Sequence, residues 1–289
     1  MRQRLTSAAV LVPVVVILFV LGDPWLTLGI AALAGAAAFE ASRLVSGAGL
    51  RASGLFAGVS AIVAVVGIRL FRGDFFWPEP LAATVDILTF IGLVVSVAGV
   101  MALRHSDPRS GFLAWTGNIF AALYPSLLAF VAVILAVGPY IPDRALLHGT
   151  IDSGRIWLLI LVLTVWSLDS AAYLSGRYVP RGHFMNHISP NKTWSGVIGG
   201  TAAALLVCTL LVWAAGQQPL LGIILGAVIA VAAQAGDLAE SMLKRAAGVK
   251  DSGNLIPGHG GMLDRVDSFL FAAPAMFIAL NWLHGLLRT

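Results

Sequence analysis

Apolar runs of about the length a bilayer core demands, separated by short polar breaks, set the organisation of this chain. The runs lie at about 7–21, 25–45, 53–71, 81–103, 111–138, 156–178, 194–216, 219–240 and 264–287. They predict an all-α polytopic membrane protein of about nine transmembrane helices. The fifth run is long enough to be tilted or broken, and Pro125 near its middle is the expected kink. The first run follows Arg2 and Arg4 and ends in Leu21-Gly22-Asp23-Pro24 with no small-x-small cleavage site, so it reads as a retained span and not a signal peptide. No internal repeat, low-complexity segment or soluble domain is apparent. The chain divides into an N-terminal part with four helices, 1–110, and a part with five helices and the polar motif loops, 111–289.

Composition agrees with this pattern. Of 289 residues 58% are hydrophobic and 11% charged, and the mean hydropathy is +0.90, too apolar for a soluble domain. The single cysteine, Cys208, lies in an apolar run, which excludes an intrachain disulfide and a Cys-based metal site. Charge placement gives the orientation. With the N-terminus inside, thirteen of the 18 Lys and Arg residues fall in cytosolic segments and five on the other side, so the C-terminus is expected opposite the cytosol. The expected location is the cytoplasmic membrane, multi-pass, with both polar motif regions facing the cytosol.

The densest polar stretch runs from Asp237 to Asp267, between two apolar runs. Asp237, Glu240, Ser241 and Lys244 stand at i, i+3, i+4 and i+7, so they share one face if the preceding helix continues. Asp264 and Asp267 repeat that spacing where the next helix begins. Two helix ends would thus offer carboxylates to a shared space. Between them Gly253, Gly258, Gly260 and Gly261 allow backbone N–H groups to approach an anion. Carboxylates for a hard cation, with Lys244, Arg245, Lys250 and Arg265 for phosphate oxygens, are the parts of a nucleotide phosphate site. A plain charged connector is the bland alternative.

A second polar region spans Asp169 to Gly196. Asp169 lies inside the sixth run, where an acid is costly unless it faces protein, water or a cation. Ser189, Lys192 and Thr193 lead into the seventh run, where a helix amino end suits a phosphate; an N-cap with a snorkelling lysine is the simpler reading. His183 and His187 have the spacing of a zinc pair on a helix, but Pro180, Gly182 and Pro190 argue against a helix and no third ligand is evident. Glu40 and Asp86 are the acids within the earlier runs; both sit near span ends and read as snorkelled or helix-paired, with Glu40, toward the cytosolic side, the better functional candidate.

Ser241-x2-Lys244-Arg245-x4-Lys250-Asp251-x-Gly253-x2-Ile256-Pro257-x-His259-Gly260-Gly261-Met262-x-Asp264-Arg265-Val266-Asp267 resembles the signature of the phosphatidate cytidylyltransferases, the CDP-diacylglycerol synthases, without departure. Asp169, Ser170, Ala172, Tyr173, Gly176 and Arg177, then Ser189, Pro190, Lys192, Thr193 and Gly196, resemble two further segments of that family. Ser195 stands where the family usually has Glu or Gln, and Val179-Pro180 replaces the usual Phe-Gly; no role is assigned there. The resemblance covers most of residues 111–289.

The resemblance implies an enzyme that converts CTP and phosphatidate to CDP-diacylglycerol and pyrophosphate with Mg2+. A second cation is allowed for, potassium being a candidate. It implies catalytic roles for Asp237, Lys244, Asp251, Asp264 and Asp267, with Asp237, Asp264 and Asp267 on the metal. Substrate contacts fall to Asp169, Ser189, Lys192, Thr193, Ser241, Arg245, Lys250, His259, Gly260, Gly261 and Arg265. His259 serves either a phosphate or the brace of its own turn. The expected partners are CTP, phosphatidate and membrane lipid, with room for a homodimer and no nucleic acid. Two rivals stand beside this reading. An ion or lipid transporter would use the intramembrane acids but leave the basic glycine loop idle. A phosphatidyltransferase that consumes CDP-lipids would need an Asp-Gly-x2-Ala-Arg opening that is absent.

Overall fold

The computed structural model describes residues 13–70, 81–143, 145–146, 149, 151–179, 181–255 and 260–283. Its regular elements there are helices: a stretch at 13–21, then α1 (Trp25–Gly47), α2 (Gly54–Leu70), α3 (Leu81–Ala102), α4 (Pro108–Ser126), α5 (Ala129–Val137), α6 (Ser153–Tyr178), α7 (Trp194–Ala214), α8 (Pro219–Ala246) and α9 (Leu263–Trp282). The fifth apolar run is broken into α4 and α5 just after Pro125, where the sequence places its kink. Among the described residues five spans are long and apolar enough to cross a membrane: α1, α4 with α5, α6, α7 and α8. Stretches Gly54–Ile68 and Asp86–Ala102 are apolar but shorter.

The chain forms two compact units, one of residues 1–132 and 243–266, the other of residues 133–242 and 267–289. In the first, α4 packs against α1, α2 and α3, and α1 packs along α2. The reason is small side chains. Ala31, Ala34, Ala37, Ala38 and Ala41 of α1 are buried, and a Cβ on Gly35 would stand 2.9 Å from Ile62. Where lipid tails are as apolar as leucine, close backbone approach is what holds helices together. Buried Asn118 in this interior accepts the Ser53 N–H at 2.8 Å and donates to the Ala114 carbonyl at 2.8 Å. Asp107 caps α4 through the Ser110 N–H at 2.8 Å, with Pro108 in the first turn.

In the second unit α6 and α7 lie along one another. The buried face of α7 is Gly196, Gly200, Ala204, Cys208 and Val212, every fourth residue, while Ile198, Leu206, Leu210 and Trp213 are exposed. A helix apolar on every side belongs in hydrocarbon. Gly196 and Gly200 meet the Ala172 and Leu168 carbonyls, which a Cβ would approach to 3.0 and 2.9 Å. Gly222 and Gly226 of α8 come equally close to the α7 backbone. Trp157, wholly buried, donates its indole N–H to the Pro139 carbonyl at 2.8 Å.

Candidate active site

The apolar helix that begins at Pro219 does continue, through to Ala246, so Asp237, Glu240, Ser241 and Lys244 share a face as their spacing predicts. Glu240 is fully buried and the Lys244 side chain is only 12% exposed. Gly248, at φ +71°, ends the helix: the Val249 N–H returns to the Lys244 carbonyl at 2.9 Å and the Gly248 N–H to Arg245 at 3.0 Å, the glycine-terminated turn common at helix ends. Arg245 donates to the Val249 carbonyl at 3.0 Å. This turn redirects the chain toward Ser252.

There, in the first unit, a buried polar cluster forms. The Lys244 ammonium lies 2.6 Å from Asp264 Oδ1. Asp264 Oδ2 accepts the Ser252 N–H at 3.0 Å, the Gly261 N–H at 2.8 Å and the Ser252 hydroxyl at 2.9 Å. Glu40 of α1, 4% exposed, accepts the Leu263 N–H at 2.8 Å and lies 2.9 Å from the same hydroxyl. The opening N–H groups of α9 thus bond to side chains, Leu263 to Glu40 and Asp264 to Ser252 Oγ at 3.3 Å. The sequence reading gave the glycines to an incoming anion. Two of them make room for an anion of the protein itself: a Cβ on Gly253 would come within 2.5 Å of Glu40 Oε1, and one on Gly261 would collide with Glu40 Oε2 and Ser252 Oγ. Gly260, at φ +81°, needs its left-handed backbone.

In the second unit the residues between α6 and α7 make a small hairpin, not the helix a zinc pair would need. His183 bridges Thr193, the Phe184 N–H donates to the Lys192 carbonyl at 2.8 Å, the Trp194 N–H donates to the Gly182 carbonyl at 3.2 Å, and the Phe184 and Trp194 rings meet edge-on at 4.6 Å. Thr193 caps α7 through the Gly196 N–H at 3.1 Å. Two of the N–H groups offered at that helix start are therefore already bonded. The Ser189 carbonyl accepts the Lys192 N–H at 3.2 Å, closing the hairpin tip. This scaffold delivers Lys192 Nζ to 2.9 Å from Asp237 Oδ2, while the Ser241 hydroxyl lies 3.4 Å from Asp237 Oδ1. The two residues are far apart in sequence, and the fold brings their side chains together as an ion pair.

Among the other candidates, Asp169, Lys250, Asp251 and Arg265 are exposed, and Asp267 accepts the N–H of Ser268 at 2.7 Å. His259, with Ile256, Pro257 and Gly258, lies outside the described residues. Ser252 and the use made of Glu40 went unread. Ser252 occupied an unassigned position of the motif, and only the cytosolic placement of Glu40 pointed its way. Among the described residues no group of three or more His, Cys, Asp or Glu side chains is placed to hold a metal ion. Carboxylate oxygen is the donor type a hard cation takes, and the Asp237 and Asp264 carboxylates each pair with a lysine ammonium in this structure.

Long apolar helices, with lysine–aspartate pairs among their polar residues, define the class as a helical membrane protein. Residues 2–283 match the Cytidylyltransferase family, and the chain belongs to it. It is similar to the phosphatidate cytidylyltransferase of Brucella suis, with 46% identity over 139 residues, 46% of this chain and 50% of the relative. It is also similar to that of Haemophilus influenzae (39% over 185 residues; 60% and 62%) and that of Bacillus subtilis (43% over 130 residues; 44% and 48%). The chain spans about half the length of the curated relatives it matches, somewhat more for Haemophilus influenzae.

Proposed function

We propose that this protein transfers the cytidylyl group of CTP to phosphatidate, forming CDP-diacylglycerol and pyrophosphate at the cytosolic face of the membrane. The carrying observation is that motif residues pair across the sequence as lysine with aspartate, Lys192 with Asp237 and Lys244 with Asp264. Family membership and the named activity of the relatives support the same reading.

In this reaction a phosphate oxygen of phosphatidate attacks the α-phosphorus of CTP. The new P–O bond forms as the bond from the α-phosphorus to the bridging oxygen breaks, and that oxygen's electron pair leaves with pyrophosphate. An ionised phosphate needs no general base. Several negative charges must converge, so the barrier is one of positioning and neutralisation. Lys192, 21% exposed, is the lysine best able to exchange its aspartate for a phosphate oxygen. Lys244, more deeply held, keeps Asp264 and the glycine loop in register. Arg245, Lys250 and Arg265 add positive charge for pyrophosphate. Asp237, Asp264 and Asp267 are the proposed holders of Mg2+, which when bound would neutralise phosphate oxygens and the leaving group. A second cation, a homodimer, nine spans with the N-terminus in the cytosol, and the division at residue 110 belong to the same proposal.

Purified protein in detergent with Mg2+, CTP and phosphatidate is expected to release pyrophosphate and yield a CDP-lipid, and chelation is expected to stop it. Asp264→Asn is expected to lower turnover by at least ~100-fold, since it removes a charge worth several kcal/mol to such a transition state. The variant also puts an amide where Lys244 or the backbone N–H groups donate, so thermal stability should fall by about 1–3 kcal/mol. Wild-type protein that makes no CDP-lipid but moves ions or lipid in liposomes would replace the proposal with a transporter.

A further inference from the structure

We infer that Glu40, on the first helix of the N-terminal unit, is a positioning residue for the motif loop: its carboxylate holds residues 251–255 and 260–262 and the amino end of α9 in the arrangement that presents Asp264 to Lys244. The inference rests on the cytidylyltransferase reading for its consequence, but its geometry stands apart from that reading.

A carboxylate 4% exposed needs hydrogen-bond donors, and Glu40 finds them more than 200 residues away in sequence, at the Leu263 N–H (2.8 Å) and Ser252 Oγ (2.9 Å). The Ser252 hydroxyl lies 2.9 Å from both Glu40 Oε2 and Asp264 Oδ2 and, with one proton, donates to one of them at a time, so it stands between the two carboxylates as a shared donor. Through it Glu40 acts on the residue that carries the Lys244 pair. The loop has also been shaped to admit this side chain, since Gly253 and Gly261 are the two positions where a Cβ would strike the Glu40 carboxylate. A helix-paired or snorkelled acid would need neither glycine. Removing Glu40 leaves the Leu263 N–H without its acceptor in a buried place and the Ser252 hydroxyl with Asp264 alone, and the loop has to open to water to satisfy the α9 N–H.

The test uses the full chain in detergent, comparing wild type, Glu40→Ala, Glu40→Gln and Gly253→Ala. Hydrogen exchange of amides in 251–255 and 260–264 is expected to be about tenfold faster or more in Glu40→Ala, with α6 and α7 unchanged. Glu40→Gln keeps an acceptor oxygen for Leu263 and should recover most of the protection. Gly253→Ala, which leaves Glu40 in place but pushes against it, should loosen the same amides, and it decides the matter if Glu40→Ala fails to fold. Per folded molecule, kcat/KM for CTP should fall about tenfold or more in Glu40→Ala and recover in Glu40→Gln. A residue that only stabilised the fold would lower the yield or the thermal midpoint and leave kcat/KM per folded molecule unchanged. Unchanged loop exchange in Glu40→Ala, or in Gly253→Ala if the first variant does not fold, overturns the inference, and so does a loosened loop with unaltered kcat/KM. If wild type forms no CDP-lipid the reaction reading falls, and exchange alone decides whether Glu40 braces the loop.

Discussion

Two lysines of one chemical type sit in different surroundings, and this difference decides what each is worth. The Lys192–Asp237 pair is partly open, with side chains 21% and 37% exposed, and an exposed ion pair contributes about 0–1 kcal/mol to stability. Stability gives the pair little to do, and under the proposed function Lys192 meets a phosphate oxygen instead. Lys192→Ala is expected to change the thermal midpoint little and to raise KM for CTP about ten- to a hundredfold, the worth of one charged hydrogen bond. A CTP titration that superimposes on wild type would remove the hairpin from the nucleotide site. Lys244 and Asp264, 12% and 8% exposed, are held too deeply for either to be removed without structural cost. Both aspartates stood out in the sequence as candidate site residues. That Asp264 also anchors the loop's N–H groups was not, because a backbone donor leaves no mark in a residue pattern.

Helices meet here where side chains are absent. Gly236 of α8, next to Asp237, faces the carbonyl of Asp267 in α9, which a Cβ would approach to 2.5 Å. Backbone, unlike a long side chain, has no rotamer with which to yield. Gly236→Ala is expected to destabilise the protein by about 1–3 kcal/mol and to reduce turnover by shifting Asp267. Gly92→Ala in α3, where a Cβ meets nothing within 4 Å, is the control and should be neutral or slightly stabilising. Equal effects from both would show that helix propensity, not contact, is being measured. The apolar runs placed helix boundaries to within a few residues in most cases. They could not show which glycines lie in a contact and which face outward, since sequence spacing fixes a helical face but not the neighbour against it.

At the scale of the whole chain, the proposed reaction depends on orientation, because CTP is cytosolic. Reporters fused after Arg109, Lys192 and Lys250 are expected to report cytosol, and one at the C-terminus the opposite side, given the thirteen-to-five distribution of basic residues. A cytosolic C-terminus would remove a span or reverse the chain. Five helices meet the demands of length and hydropathy for crossing a membrane, and α2, α3 and α9 would add to them only if shorter or more polar segments also span.

By itself, the sequence determined what depends on local chemistry: apolar runs that must be helices in a bilayer, the break after Pro125, and a helical face carrying Asp237, Ser241 and Lys244. Only the tertiary structure decided what depends on partners distant along the chain. It turned the hairpin so that Lys192 meets Asp237, and it gave Gly253 and Gly261 to the carboxylate of Glu40. The physical reason is that burial makes each polar group find a partner, while the pattern along the chain names the groups that need one and leaves folding to choose which it will be.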